Sequence, residues 1–385
     1  MTEQVLFEVR TENLETGLRG YPVGYCITSW VDPLKGLFYA GCPVSEIYHW
    51  EPEQVMDLLY HGRVGTPEEV ATFSAELRSR AGCHPELLRQ IEQLPRRGRP
   101  MQLFTSALLL AGMFEATNRY REDALNLVAK VPEIAAAVIR HHAGWGPLLP
   151  SRPELGYVEN FVQMLSVPEG EPSRLTRAFK LFSILHYDHG GGNLSAFVGK
   201  AVASGLEDLY GSMAAAMCAL AGPRHGKANQ EGLAFVKDLA DALGPEATEE
   251  EMERTIRRKL ANKELIFGFG HAVLRVEDPR ATLLYEEIRR HYPDHPLVKA
   301  SLLLRKAGVK VLKENPQVSN PYPNVDAVSG VMLTAEGFPY PEYYPLLFGM
   351  ARVVGIARQI VYEREEAREG KGTPLVRPKY LFKPI

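Results

Sequence analysis

Four stretches of this 385-residue chain set chemically able side chains beside breaks in the backbone pattern. They are HYDHGGGN (186–193), GPRHGKANQ (222–230), FGFGHAVLRVEDPR (267–280) and NPYPNVDAVSG (320–330). Imidazoles donate hydrogen bonds and move protons near neutral pH, a carboxylate abstracts protons, and guanidinium forks bind carboxylates. Glycine and proline interrupt helices and free backbone groups, so residues beside them are displayed on loops. Each stretch also has a purely structural reading. A histidine packs in a core, and Asp326 caps a helix, the commonest task of an aspartate in such a place.

Other chemistries fit these residues poorly. His186-x-Asp188-His189 has metal-ligating residue types, but neither an HExxH motif nor a Cys/His cluster accompanies it, so no metal is expected. GFGHAV begins like a dinucleotide loop, yet Val273 stands where the third glycine belongs and no strand pattern precedes it. There is no P-loop and no GxSxG elbow. Cysteines 26, 42, 83 and 218 form no CxxC pair, which fits reduced thiols. A net charge of −3 argues against a nucleic-acid partner held by a general positive field. The small patch of Arg96, Arg97 and Arg99 reads as a solvated loop. The acidic N-terminus shows no signal-peptide apolar region, and the longest apolar run, 213–221, is far short of the ~20 residues of a membrane span. A soluble, cytoplasmic protein is expected, with no membrane or nucleic-acid partner.

The elements that must position these residues read mainly as helices. Thr66-Pro67-Glu68-Glu69 is a capping box with proline at the first helical position, and Gly82 is the expected stop. Thr248–Glu251 repeats the box. Residues 204–221 read as a buried helix, and Leu346, Met350, Val353, Ala357 and Ile360 share one helical face. The best strand signal is a hairpin, Tyr25–Val31, then DPLKG, then Leu37–Ala40. Strands do not alternate with helices, so a parallel α/β sheet is not expected. The length predicts two domains.

Taken together, in their order and spacing, the four stretches resemble the citrate synthase family. GPRHGKANQE is similar to its GP-x-HG-x-AN motif, GFGHAVLRVEDPR to its GH-x-V…DPR signature, YPNVDAVSG to PNVD-x-x-SG, and HYDHGGGN to H-x-[DE]H…N. GLRGYPVGYCITSWVDPLKGLFYAG looks like the family's N-terminal hairpin. The resemblance implies a mainly α, two-domain fold: a large domain of 1–224 plus 332–385, and a smaller inserted domain of 225–331. The implied reaction condenses acetyl-CoA with oxaloacetate and hydrolyses citryl-CoA. Asp326 would be the base, His225 the donor to the enolate, and His271 the group that polarises oxaloacetate. His189, Arg280, Arg352 and Arg377 would bind oxaloacetate, with Arg377 supplied by the other subunit of a homodimer. Leu265, Ile266, Phe267, Gly268, Phe269 and Gly270 would form the coenzyme A loop, with Arg275 on a phosphate. Acetyl-CoA would be a co-substrate and no cofactor would be permanently bound. At this length no extra N-terminal regulatory domain is expected.

The chain departs from the family pattern at Gly190, Arg224, Ala40-Gly41-Cys42, Arg99 before Pro100-Met101, and Gln317 and Ser319. None of these removes a catalytic residue. Two rival readings accompany the first. A 2-methylcitrate synthase would use propionyl-CoA, and one methylene is worth only about 1–3 kcal/mol of discrimination. A non-catalytic binding relative would have no need of His225, His271 and Asp326 together.

Overall fold

The computed structural model describes residues 5–384. The chain is mainly helical, with one three-stranded sheet of order β1-β2-β3. The strands are β1 (Ser29–Asp32), β2 (Gly36–Tyr39) and β3 (Cys42–Pro43), all antiparallel. The first helices are α1 (Val44–Ile47), α2 (Pro52–His61), α3 (Pro67–Arg80), α4 (Pro85–Glu92) and α5 (Pro100–Glu115). Then come α6 (Tyr120–Ala143), α7 (Tyr157–Leu165), α8 (Pro172–His186), α9 (Leu194–Ala203) and α10 (Leu209–Leu220). The remainder are α11 (Ala228–Leu243), α12 (Glu249–Ala261), α13 (Pro279–His291), α14 (Pro296–Leu312), α15 (Ser329–Ala335) and α16 (Tyr344–Val361). Among the described residues no helix is long and apolar enough to cross a membrane.

The hairpin is where the sequence put it but shorter: the first strand begins at Ser29, and beyond it only the Thr28 carbonyl still accepts from the Ala40 amide, at 2.8 Å. Its turn shows why DPLKG was legible. The Asp32 carboxylate accepts from the Leu34 and Lys35 amides (2.8 and 2.9 Å), and Gly36 takes a φ of 96°. A Cβ on Gly36 would lie 2.4 Å from Pro279, so only glycine lets the turn press on the start of α13. The hairpin thereby braces the helix that carries Arg280.

The long helix α6 contains Pro132, which cannot bond the Val128 carbonyl one turn back. The Tyr157 hydroxyl donates to that carbonyl at 2.7 Å and replaces the missing N–H. The five apolar positions of α16 were legible as one face, but the helix is buried all round: of its residues only Arg358 is partly exposed. α6, α8, α9 and α10 pack around it. The run 204–221 divides differently from the expectation. α9 ends at Ala203, Leu206 takes a positive φ, and Asp208 caps α10 by accepting from the Gly211 amide at 2.7 Å. The cap residue competes with helix propensity and wins. Helices α11, α12, α14 and α15 pack mainly on one another.

Both capping boxes are formed. Thr66 accepts from the Glu69 amide and Glu69 returns the bond to the Thr66 amide at 2.8 Å. Helix α3 ends at Arg80, and its extended cap residue Ala81 precedes Gly82, whose φ is 95°. Thr66→Ala should lower stability by about 1 kcal/mol, read as a lower denaturant midpoint with an unchanged slope. An unchanged midpoint would show that the box contributes nothing.

Candidate active site

Two segments some fifty positions apart are laced by their main chains. The Gly270 amide donates to the Tyr322 carbonyl (3.0 Å), the Asn324 amide to Gly268 (2.9 Å) and the Asp278 amide to Pro323 (3.2 Å). The side-chain amides of Asn320 and Asn324 add bonds to the Leu274 and Gly270 carbonyls, at 2.6 and 2.8 Å. Gly268, at φ 81°, sits so close that a Cβ there would meet Ala327 at 2.6 Å. His271 and Asp326 thus ride on one unit.

His271 is fixed in one tautomer. The Val273 and Leu274 amides both donate to its Nδ1, each at 3.0 Å, so the proton of the neutral ring is on Nε2. Burial, with help from the Arg280 charge, lowers its pKa to about 4. The ring is therefore a neutral donor at pH 7. Its neighbour is His189, with ring centroids 5.3 Å apart. Burial, then Arg280, pushes the His189 pKa well down, and its Nε2 accepts from an Arg280 Nη2 at 3.2 Å.

Arg280 stands at the second position of α13, after the Pro279 start. Asp278 caps the helix and also holds the guanidinium, at 2.7 Å to Nη2. Burial alone would raise the Asp278 pKa, but the charge and hydrogen bonds of Arg280 outweigh it and keep the carboxylate ionised. Arg352, on the central helix α16, is 1% exposed and has no such counterion. Its Nε donates to the His186 carbonyl (2.8 Å), its Nη1 to Asn193 Oδ1 (3.2 Å), and its guanidinium lies 4.6 Å over the Phe348 ring. Among the described residues no carboxylate forms an ion pair with it. Burial lowers its pKa to about 10, so it is still a cation at pH 7. A buried, unpaired guanidinium is costly and marks a place for an anion.

His225 stands edge-on to the same Phe348 ring, with centroids 5.6 Å apart. The Gly-Pro break ends α10, and the turn that follows holds the ring before α11 begins. Its Nε2 meets Ser195 Oγ at 2.9 Å, and Ser195 Oγ lies 3.0 Å from Asn193 Oδ1. Burial, then Arg352, lowers the His225 pKa to about 3, so this ring too is neutral. Asp326 follows Asn324, whose side chain accepts from the Asp326 amide at 2.9 Å. Burial raises the Asp326 pKa to about 6, against the pull of Arg280. A carboxyl so poised, within the field of two guanidinium groups, suits proton abstraction next to an anionic substrate.

The loop 265–270 borders an open cleft of about 340 Å³, lined in part by Ile266, Phe269, Leu312 and Val318. Leu265 is exposed and Phe267 partly so. The apolar floor suits a flat heterocycle. Arg275 is exposed, and its Nη1 already bonds the Val273 and Leu274 carbonyls at 2.9 and 2.8 Å. It closes the His271 loop as well as facing solvent. Arg377 lies exposed in the C-terminal tail, where the Val376 amide donates to Ser204 Oγ at 2.9 Å.

Residues 17–379 match the family described as citrate synthase, C-terminal domain. The chain belongs to the citrate synthase family. It is 36% identical over 387 residues to the mitochondrial citrate synthase of Daucus carota, covering 94% of this chain and 80% of that one. The mitochondrial citrate synthase of Citrus maxima is equally similar. The solved citrate synthase of Thermotoga maritima superposes with a TM-score of 0.81 at 26% identity, over 96% of this chain and 95% of that one. A Thermoplasma acidophilum citrate synthase, solved as a ternary complex with carboxymethyl coenzyme A and oxaloacetate, shares the fold at a TM-score of 0.84 and 24% identity, over 97% of this chain and 96% of that one.

The structure brings His189, His225, His271, Arg280, Arg352 and Asp326 into one neighbourhood, while Arg377 lies exposed in the C-terminal tail. His186 and Asp188, which drew attention as metal-ligand types, are structural. His186 stacks on Phe182 and its Nδ1 bonds that residue's carbonyl at 2.7 Å. The buried Asp188 takes Thr28, Ser29 and Gln359 donors and pins the strand entry to α8 and α16. Ser195 and Asn193 were missed as site residues. Their signal was position alone: Asn193 closes the histidine stretch and Ser195 follows it by two residues.

Proposed function

We propose that this chain is a citrate synthase that condenses acetyl-CoA with oxaloacetate and hydrolyses the citryl-CoA formed. The observation that carries the reading is the buried, unpaired Arg352 facing a carboxyl of raised pKa and two neutral imidazoles. Arg352 and Arg280 take the carboxylates of oxaloacetate, with His189 beside them. His271 donates from Nε2 to the ketone oxygen and draws electrons from its carbon. Asp326 removes a methyl proton from acetyl-CoA.

The thioester oxygen gains charge as the enolate forms, and His225 donates to it from Nδ1. That requires its Nε2 to accept instead of donate. The Ser195 hydroxyl donates to Nε2, which fixes the neutral ring as the Nδ1–H tautomer, while Asn193 Oδ1 keeps the Arg352 bond. The enolate carbon then bonds to the ketone carbon, and the new alkoxide takes the His271 proton. Water cleaves the thioester, releasing citrate and coenzyme A. The cleft bounded by 265–270 takes the coenzyme's adenine, and Arg275 offers its remaining donors to a phosphate. Segment 225–331 acts as a smaller body closing on the rest.

Oxaloacetate-dependent thiol release should appear with acetyl-CoA and be faster than with propionyl-CoA. Absence of release with acetyl-CoA would overturn the reading. The working unit is a homodimer, and Arg377 completes the oxaloacetate site of its partner. Arg377→Ala and His271→Ala proteins should each be inactive and should regain activity as mixed dimers, because one site in each mixed dimer then holds both residues. Verified mixed dimers that stay inactive would remove Arg377 from the shared site.

A further inference from the structure

Two side chains in one helix interface lack partners among the described residues. Asn229, 1% exposed near the start of α11, has neither Nδ2 nor Oδ1 bonded. Ser329, fully buried at the start of α15, has an unbonded Oγ. Asp326, three residues before it and half-buried, accepts no side-chain hydrogen bond among the described residues. These groups lie on surfaces that touch. A Cβ on Gly330 would stand 2.9 Å from the Asn229 carbonyl, and one on Gly232 would stand 2.4 Å from the Asp326 carbonyl. Residues 229 and 232, one turn apart, thus face 326–330 directly. Asn229 is also four residues beyond His225, so its turn of helix joins the enolate donor to the base.

An unpaired buried polar group destabilises a fold, and apolar residues of similar size would remove that cost. Glycines at 232 and 330 bring the two backbones together, so the interface is close-fitting and not a loose gap. Two spare donors and one spare carboxylate across such an interface are complementary in kind. We infer that Asn229 and Ser329 are positioning residues for Asp326, which donate to its carboxylate when the substrates are bound and so fix the oxygen that meets the methyl proton. The inference rests on the citrate synthase reading. A bond from Asn229 Nδ2 or Ser329 Oγ to one carboxylate oxygen leaves the other oxygen for the substrate, and no atom is transferred to either residue.

The test compares Asn229→Leu and Ser329→Ala with wild type and with Asp326→Asn in the oxaloacetate and acetyl-CoA assay. Each positioning variant should lower kcat by roughly 10- to 100-fold, as misplacement of a reacting group does, with the KM for oxaloacetate within about threefold of wild type. The acidic limb of the kcat profile should move to higher pH, because the carboxylate loses donors that favour its ionised form. The charged groups that act on Asp326, namely Arg280, Asp278 and Arg352, are untouched by either change. The ligand-free variants should melt no lower than wild type, and Asn229→Leu should melt higher. A purely structural role would give the reverse, a lower melting temperature with kcat and limb unmoved, and would overturn the inference. If Asn229→Leu does not fold, Ser329→Ala, which deletes one oxygen, decides alone. Wild type without oxaloacetate-dependent thiol release overturns the functional reading itself, and the inference falls with it. Active wild type and unchanged variants overturn only the inference.

Discussion

Asp326→Asn should give a folded protein that resists heat better than wild type and turns over roughly 10²–10⁴ times more slowly. Both effects come from one carboxyl. Burial raises its pKa from 3.8 to about 6, so the folded chain holds this proton to a higher pH than the unfolded chain does. Wherever the folded state binds more protons, stability falls as pH rises. The loss accrues between about pH 4 and pH 6 and persists above, amounting to up to about 3 kcal/mol at pH 7. Asparagine has no such charge. The difference in melting temperature between variant and wild type should therefore be small at pH 4 and open as pH rises to 7. The rate follows the opposite course, since the base must be ionised: wild-type kcat should fall as pH drops below about 6. His271 and His225, at about 4 and 3, titrate below that range, so a single group should govern the upper part of the limb. A variant with near-normal turnover would dismiss Asp326 as the base.

Arg352→Met should weaken oxaloacetate binding by roughly 10²–10⁴-fold, the scale of removing one partner from a buried charge pair, about 3–5 kcal/mol. Without ligand the same variant should be more stable, since methionine replaces an unpaired buried cation of similar length. Oxaloacetate at a hundred times its Kd should stabilise wild type by about 2.7 kcal/mol and leave the variant's melting temperature in place. Equal stabilisation of both proteins would mean that the anion binds elsewhere. Arg280 predicts a different outcome. Its loss would strand Asp278, 1% exposed, as a buried charge, so that variant should lose stability as well as affinity.

These contrasts were not legible in the sequence. Motif spacing named Arg280 and Arg352 as equals, but only the fold shows that one has a carboxylate beside it and the other does not. Local chemistry was the most readable part. The capping boxes at Thr66 and Thr248 and the Asp32–Gly36 turn depend on neighbours along the chain, and all three formed. The boundary between α9 and α10 was lost because the expected helix carries the apolar run 213–221 back over 204–212, where the positive φ of Leu206 and the Asp208 cap hold the chain out of a helix until Leu209. The two-residue strand β3 had no period to read. Ser195 escaped notice because serine is common at helix starts, and its role depends on His225, thirty residues away in the chain. The departure at Gly190 has a modest structural counterpart, a φ of 80° in the loop after His189.

The bonds from Gly270 to Tyr322, Gly268 to Asn324 and Asp278 to Pro323 join main chain to main chain, so they carry no side-chain identity. What they transmit is shape. In recombination between this gene and a relative's, the stretch from 264 to 330 behaves as a single exchangeable part. A crossover between 281 and 319 would mate a His271 loop from one parent with an Asp326 loop from the other, and any difference in backbone path would displace base from polariser. Crossovers outside 264–330 leave that pairing whole, and chimaeras of the two kinds should separate cleanly by activity even when all of them fold.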